Sequence, residues 1–231
     1  METHPAVDSA GPAAASISGL WLRWVLANLA GELAGLGLAG VVGLAVGVAV
    51  ERLAGSLAPV ATAALMVAGG TFEGFTVGLA QWLVIRRPLP ELLRRRWVVA
   101  TVAGAFIAWA LGALLSTLMS MGGEGGTTAG PSPAVVYSLA VGLGAVAGAI
   151  LGGPQSMVLR RHVARAAWWV AFNAAAWALA MPIVFFGIDR AGGQFGSSGA
   201  GWIVGSVALA GTLVGAVHGA GLVWLLRRRR G

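Results

Sequence analysis

The sequence contains no cysteine and no lysine, and only 10% of its 231 residues are charged. The absence of cysteine excludes disulfides, thiolate metal sites and cysteine nucleophiles. Soluble domains carry about a quarter charged residues, and so few charges could not cover the surface of a water-soluble fold. With 58% hydrophobic residues, the composition therefore predicts a protein that is surrounded by lipid.

All fifteen basic residues are arginines, and their positions explain the net charge of +7 without a nucleic-acid partner. Thirteen lie beside alternate ends of the apolar segments, whereas Arg52 and Arg190 lie at the other ends. This positive-inside pattern orients membrane helices and predicts that the arginine-rich ends are cytoplasmic. The thirteen predicted cytoplasmic arginines are Arg23, Arg86, Arg87, Arg94, Arg95, Arg96, Arg160, Arg161, Arg165, Arg227, Arg228, Arg229 and Arg230.

Six long apolar segments predict an all-α polytopic membrane protein with six transmembrane helices. Each segment holds about 20 or more mostly apolar residues, enough to cross a hydrocarbon core of about 30 Å. Residues 1–18 are polar, small and proline-containing, and we predict that they form a disordered cytoplasmic tail. A transmembrane domain is predicted over residues 19–231. Both termini are predicted to be cytoplasmic. The spans are 24–50, 60–85, 97–120, 134–159, 166–187 and 201–226.

The tract 86–94, between the second and third spans, combines arginines with prolines and leucines. We interpret it as an orientation signal whose leucines dip into the lipid headgroups. The alternative is that its arginines bind anionic lipid headgroups. Under either interpretation, the lipid bilayer is the predicted partner of this chain.

One motif occurs twice, and an echo of it a third time: glycines four residues apart, then glutamine, then paired arginines. The echo has histidine in place of glutamine, and its arginines, Arg227 and Arg228, come later. A span opened by tryptophan precedes each copy, at Trp24, Trp97 and Trp169. All three hairpins run in the same direction, which predicts three parallel two-helix repeats forming a pseudo-threefold bundle. The repeats cover about residues 19–87, 88–161 and 162–231.

The glycines of the motif predict close contacts between helices. On a helix of 3.6 residues per turn, Gly70, Gly74 and Gln81 share one face. Rows of small residues let helix backbones approach closely in a membrane, so packing explains them without a ligand. The glycines concerned are Gly70, Gly74, Gly78, Gly144, Gly148, Gly152, Gly211 and Gly215.

Polar side chains recur at one depth in the cytoplasmic half of the predicted bundle. Each odd span carries one residue four positions after its opening tryptophan, and each even span carries one before its closing arginines. Six such side chains could lock the helices together, each bond contributing about 0.6 kcal/mol, or could form a constriction around a central path. They are Asn28, Thr101, Asn173, Gln81, Gln155 and His218.

Two acids inside the spans, Glu32 and Glu73, break the repeat. The residues that match Glu32 are Ala105 and Trp177, and Ala147 matches Glu73. A charged carboxylate in a bilayer costs about 2.5 kcal/mol or more, so such residues usually face the protein interior and mark a site. The acids either carry protons, pair with a base, or contact water, and Glu32 is the stronger candidate for a functional residue.

His218 is the only ionisable base in any predicted span. Because no second membrane histidine accompanies it, we interpret it as a hydrogen-bonding substitute for glutamine and predict neither a metal nor a cofactor. The sequence also contains no catalytic motif, and we predict that the protein is not an enzyme.

The run from Gly74 to Arg87, Gly-x-x-x-Gly-x-x-Gln-Trp-Leu-Val-Ile-Arg-Arg, resembles a signature of uncharacterised bacterial multi-pass membrane proteins. Those proteins carry the signature in repeated hairpins that open with Trp-Val. The resemblance covers the spans but not the tail, and the third repeat departs from it at His218. It implies a helical protein of the bacterial inner membrane and no catalytic activity.

The sequence leaves two classes of function. In the first, the bundle binds or passes a small solute, ion or proton along a path lined by the polar layer and both acids. In the second, the protein is a non-transporting accessory or scaffold subunit, and the same residues lock its helices together. The two acids that break the repeat favour the first class.

Overall fold

The computed structural model describes residues 12–53, 55–121, 131–192 and 197–228. Within these ranges, side chains are described except at 12–18, 40–49, 51–53, 56, 119–121 and 197–198. The described residues form six α-helices and one 3₁₀ turn at Gly55–Leu57, with no strand among them. The helices are α1 (Pro12–Leu53), α2 (Ala58–Ile85), α3 (Arg94–Met121), α4 (Pro133–Leu159), α5 (Trp168–Ala191) and α6 (Ser197–Arg227).

Local sequence explains where several helices begin and end. A proline occupies the first turn of α2 and of α4, where its missing N–H removes no helical hydrogen bond. Gly192 ends α5 in the left-handed conformation, with φ 58°, which costs glycine little. α1 begins at Pro12, ahead of three alanines, so residues 12–18 of the predicted tail are helical, whereas residues 1–11 lie outside the described part.

The last helix ends among the closing arginines. Arg227 is the final residue of α6 and lies in its last turn, where a cation interacts favourably with the helix dipole. Arg228 follows the helix and is exposed. The two arginines predicted beyond it, Arg229 and Arg230, lie outside the described residues.

Five helices are long and apolar enough to cross a membrane, which gives the chain the character of a multi-pass membrane protein. Their limits lie within a few residues of five predicted spans, so those five spans are confirmed at that level. The sixth predicted span, 24–50, lies within α1. The side chains of its residues 40–49 are not among those that the structure describes, so this span stays a prediction. The five segments are Ala58–Ile85, Arg94–Leu118, Pro133–Leu159, Trp168–Ala191 and Gly199–Arg227.

The six helices form a closed ring. Each helix packs against the helices before and after it in the chain, and α6 returns to pack against α1. Large apolar side chains cover the outside of the ring; Leu139, Val146 and Leu179 are each more than half exposed. Polar side chains are instead found on the inner face, where Asn28 and Gln81 are almost completely buried. This arrangement suits a lipid solvent.

A hydrophobic cluster fills the arginine-rich end of the ring. The rings of Trp24, Trp97 and Trp169 meet edge to face, with centroids 5.9 to 6.3 Å apart. Leu89 and Leu92, from the segment between α2 and α3, are buried in the same cluster. The interpretation that the leucines of this tract dip into headgroups is therefore wrong for these two, because burial against the tryptophans removes them from the surface.

Candidate functional site

A cavity of about 390 Å³ occupies the centre of the ring, and side chains from all six helices line it. Its volume falls in the range of about 300 to 1,000 Å³ that is typical of small-molecule sites. The eight polar residues that the sequence singled out all line this one cavity. They are Asn28, Glu32, Glu73, Gln81, Thr101, Gln155, Asn173 and His218.

A chain of side-chain hydrogen bonds joins five helices at the end of the cavity nearest the tryptophans. Gln81 Nε2 donates to Asn28 Oδ1 at 2.9 Å. Gln155 Nε2 donates to Gln81 Oε1 at 3.1 Å and to Thr101 Oγ1 at 2.9 Å. Trp169 Nε1 donates to Gln155 Oε1 at 2.8 Å. Part of the polar layer therefore fixes α1, α2, α3, α4 and α5 relative to one another.

The polar residues of the odd helices also bond to their own backbone. Asn28 donates to the carbonyl of Trp24, and Asn173 donates to the carbonyl of Trp169, both at 2.8 Å. The hydroxyl of Thr101 donates in the same way to the carbonyl of Trp97 at 3.0 Å. The spacing of four residues after each tryptophan thus places a polar side chain one turn above a carbonyl that accepts its hydrogen bond.

Glu32 and Glu73 both line the cavity, from the neighbouring helices α1 and α2. Both residues are almost completely buried, at 4% and 6% exposure. Trp109 Nε1 donates to Glu73 Oε2 at 2.9 Å. Glu73 therefore has an indole donor, and neither acid makes the ion pair with His218 that was one alternative.

His218 lines the same cavity from α6, and both of its ring nitrogens are buried without a hydrogen-bond partner. Its ring lies against Trp169, with centroids 5.4 Å apart. The indole nitrogens of Trp24 and Trp97 are likewise buried without partners. A buried polar atom without a partner costs about 1–3 kcal/mol, so the two imidazole nitrogens of His218 mark a place in the cavity where a bound molecule would gain hydrogen bonds.

The eight motif glycines all lie where a neighbouring helix approaches. A Cβ on Gly78 would lie 2.9 Å from the Cβ of Thr101, and one on Gly152 would lie 2.9 Å from that of Asn173. A Cβ on Gly215 would lie 3.0 Å from that of Asn28. A Cβ on each of the remaining five glycines would also lie close to a residue of the neighbouring helix. Gly70 faces Trp109, Gly74 faces Ala105, Gly144 faces Trp177, Gly148 faces Asn173 and Gly211 faces Glu32.

Sequence reasoning missed Trp109, the hydrogen-bond donor to Glu73. The antiparallel register set by Asn28 opposite Gln81 places both acids on the side of the polar layer away from the arginines, Glu32 about one turn and Glu73 about two turns beyond it. No signal in the sequence distinguishes Trp109 from a tryptophan that faces lipid. The described residues contain no group of His, Asp and Glu that could hold a metal.

The fold and the cavity together define a class: a helical bundle of multi-pass membrane character, with a polar-floored central cavity among its described residues. Comparison with protein-family models, with curated proteins and with solved structures finds no match for this chain. The resemblance to bacterial proteins with repeated hairpins accordingly stays a prediction.

Proposed function

We propose that this protein binds or passes a small solute, ion or proton through the centre of its helix ring. One observation carries the proposal: side chains from six helices converge on a single cavity that holds a buried acid pair and an unpartnered histidine. Packing alone does not require two acids in a membrane interior, because each costs stability there. We also propose that the protein is not an enzyme.

The proposal includes a pseudo-threefold arrangement of three parallel hairpins. Gln81 and Gln155 are 74 residues apart in the chain and bond to each other at the cavity floor. Residues at matching positions of the three hairpins line the cavity together, which supports the arrangement. The matching sets are Asn28, Thr101 and Asn173; Glu32, Ala105 and Trp177; Val77, Leu151 and Val214; and Gln81, Gln155 and His218.

We place the protein in the bacterial cytoplasmic membrane, with both termini in the cytoplasm. The arginines beside the helix ends support this orientation, since they lie at the ends where α2, α4 and α6 finish and α3 and α5 begin.

Aromatic contacts at the same ends support a headgroup location for the arginines. Arg86 and Arg94 both lie over the ring of Trp82, at 5.0 and 5.9 Å. Arg228 lies over the ring of Trp224 at 4.7 Å, just beyond the end of α6. Exposed cation–π pairs of this kind suit the headgroup region, where anionic lipid phosphates are the proposed partners of the arginines.

The cavity supports a binding site more directly than an open channel. The three tryptophans, together with Ile85 and Leu159, fill the bundle on the arginine side of the amide chain and are fully buried. A solute that crossed the membrane would have to displace this cluster. Passage therefore requires a second conformation, whereas binding does not.

A scaffold role is the second candidate, and the amide chain favours it. Four of the polar residues bond to one another and thereby lock the ring. If the acids serve the same purpose, the cavity has no ligand.

Flux through reconstituted liposomes tests whether the protein passes protons or ions, which a scaffold would not do. Vesicles that contain a pH-sensitive dye, with wild-type protein in the bilayer, are expected to show proton or ion flux above the protein-free leak. Glu32→Gln is expected to abolish the excess, because it removes one carboxyl of the buried pair. Glu91→Gln, the same change at an exposed loop residue, is the matched control and is expected to keep it. Background leak in all three preparations would favour the scaffold.

A further inference from the structure

The charge of the cavity wall restricts the chemistry of a ligand. Among the described residues, the titratable groups that line the cavity are Glu32 from α1, Glu73 from α2 and His218 from α6. The linings contributed by α3, α4 and α5 contain no titratable group and no arginine. An anionic ligand would therefore face two carboxyl groups without any fixed positive charge, which disfavours it strongly in a buried site.

The acid pair must hold a proton when the cavity is empty. Both carboxyl groups line one largely apolar cavity, and no fixed positive charge lies among its described lining residues. Two carboxylates in such a site would repel each other and would lose their hydration without compensation, so at least one carboxyl group keeps its proton. The pair can lose that proton only if another positive charge takes its place.

The remaining wall is apolar and aromatic. Trp109 and Trp177 lie on α3 and α5, and Phe185 lies about two turns beyond Trp177. Indole and phenyl faces attract organic cations that have shed their water, by about 2 kcal/mol or more when desolvated. A small metal ion would gain little here, since the oxygen ligands are too few to replace its hydration shell.

His218 supplies the second, independent sign of a ligand. It is 2% exposed and lines the same cavity, and neither ring nitrogen has a partner. A neutral imidazole offers one donor and one acceptor, so it can bond a polar group on a bound molecule without adding a charge.

From these features we infer that the cavity takes a small monovalent organic cation with an apolar body, in exchange for a proton held by Glu32 or Glu73. The inference rests on the proposed function and names its substrate class. The exchange is balanced: the pair releases one proton to the solution, no covalent bond to carbon changes, and the cation restores the lost positive charge.

Isothermal titration calorimetry of the whole protein in lipid nanodiscs tests the exchange. The probes are benzyltrimethylammonium, the neutral N-benzylacetamide and the anion phenylmethanesulfonate, which share a benzyl group. Benzyltrimethylammonium has no proton of its own, so any proton released comes from the protein. We expect it to bind at least about tenfold more tightly than either other probe.

The number of protons released follows from titrations in buffers that have different heats of ionisation. We expect one proton per bound cation, and an affinity that rises about tenfold per pH unit while the pair is protonated. The double variant Glu32→Gln with Glu73→Gln removes both carboxyl groups from the cavity, so the proton release and the preference for the cation are expected to disappear. Glu91→Gln, at an exposed loop residue, is the matched control and is expected to keep both.

The outcomes separate the two levels of the proposal. Tighter binding of the neutral probe would overturn the exchange but leave a solute-binding function standing. Binding of the cation without proton release would also overturn the exchange. No binding of any probe, together with background flux in liposomes, would contradict the proposed function itself. If the double variant does not fold, the proton count and the pH dependence of the wild-type protein still decide the matter.

Discussion

At the residue scale, three tryptophans occupy similar places but differ in their hydrogen bonds. Trp24, Trp97 and Trp169 are each fully buried and meet edge to face. Only the indole nitrogen of Trp169 has a partner, the side chain of Gln155. The side-chain oxygen of Gln155 accepts a hydrogen bond from the indole of Trp169. The side-chain oxygen of Gln81, the matching residue of α2, accepts from Gln155 and not from a tryptophan. The indole nitrogen of Trp97 has no acceptor. Whether a buried indole N–H has an acceptor therefore depends on the side chain that lies beside it.

The matched replacements Trp24→Phe, Trp97→Phe and Trp169→Phe isolate that hydrogen bond. Each removes the same part of a ring from the same cluster, so the packing losses are expected to be similar. Trp169→Phe is expected to cost about 1 kcal/mol more than the other two, because it alone removes a satisfied donor and leaves Gln155 Oε1 without it. Unfolding by denaturing detergent in mixed micelles measures the three free energies. Equal losses at all three positions would show that this bond contributes nothing.

Much of the site was predictable because its residues recur at fixed spacing. Asn28, Thr101 and Asn173 follow their tryptophans by four residues, and that spacing puts them on the inner face. The role of Trp109 was not predictable, since the spacing gives no sign that its indole turns inward to Glu73. Which residues of α2 lie beside Glu32 depends on how α1 and α2 are aligned, and the composition of each helix does not contain that information.

At the element scale, the glycines decide which helices come close. The rows on α2, α4 and α6 each face the helix that follows around the ring, which is α3, α5 and α1. A Cβ on Gly148 would overlap the backbone carbonyl of Asn173 and lie 2.9 Å from the Cα of Ala174. The contact is between backbones, so a side-chain rotation cannot relieve it.

Two glycines of α4 offer a matched test of this contact. Gly148→Ala is expected to destabilise the protein by about 1–3 kcal/mol, because α4 and α5 must move apart. Gly153→Ala puts the same methyl group where nothing lies within 4 Å, and it is expected to be neutral or to stabilise by up to about 1 kcal/mol through helix propensity. The unfolding assay used for the tryptophans measures both. A harmless Gly148→Ala would mean that the α4–α5 contact is looser than described.

The limits of α2 to α6 were predictable to within a few residues because long apolar runs mark helices that can span a membrane, whereas α1 begins at Pro12, well before the predicted span 24–50. The segment between α2 and α3 was harder to predict, because its leucines look alike in sequence. Leu89 and Leu92 are buried under the tryptophans, whereas Leu93 is 56% exposed. Which leucine turns inward depends on the path of the chain between the helices, and an apolar pattern of that length does not determine it.

At the scale of the whole molecule, the ring has apolar side chains outside and polar ones inside. Its arginine-rich end is filled by the tryptophan cluster, so the proposed route into the cavity lies at the opposite end. The chain has no cysteine, so a single introduced thiol reports on one position without background. Ala147 lines the cavity, and its neighbour Val146 is 60% exposed on the outside of the ring.

The most direct test of the account compares Ala147→Cys with Val146→Cys in vesicles of known orientation. The reagent is the membrane-impermeant cation 2-(trimethylammonium)ethyl methanethiosulfonate, and intact-mass spectrometry measures modification. We predict that Ala147→Cys reacts when the reagent is added at the face opposite the arginines, because the cavity opens there. Val146→Cys, which is surrounded by hydrocarbon, is predicted not to react. Failure of Ala147→Cys to react from that face, or its reaction only from the arginine-rich face, would contradict a cavity that receives a ligand there.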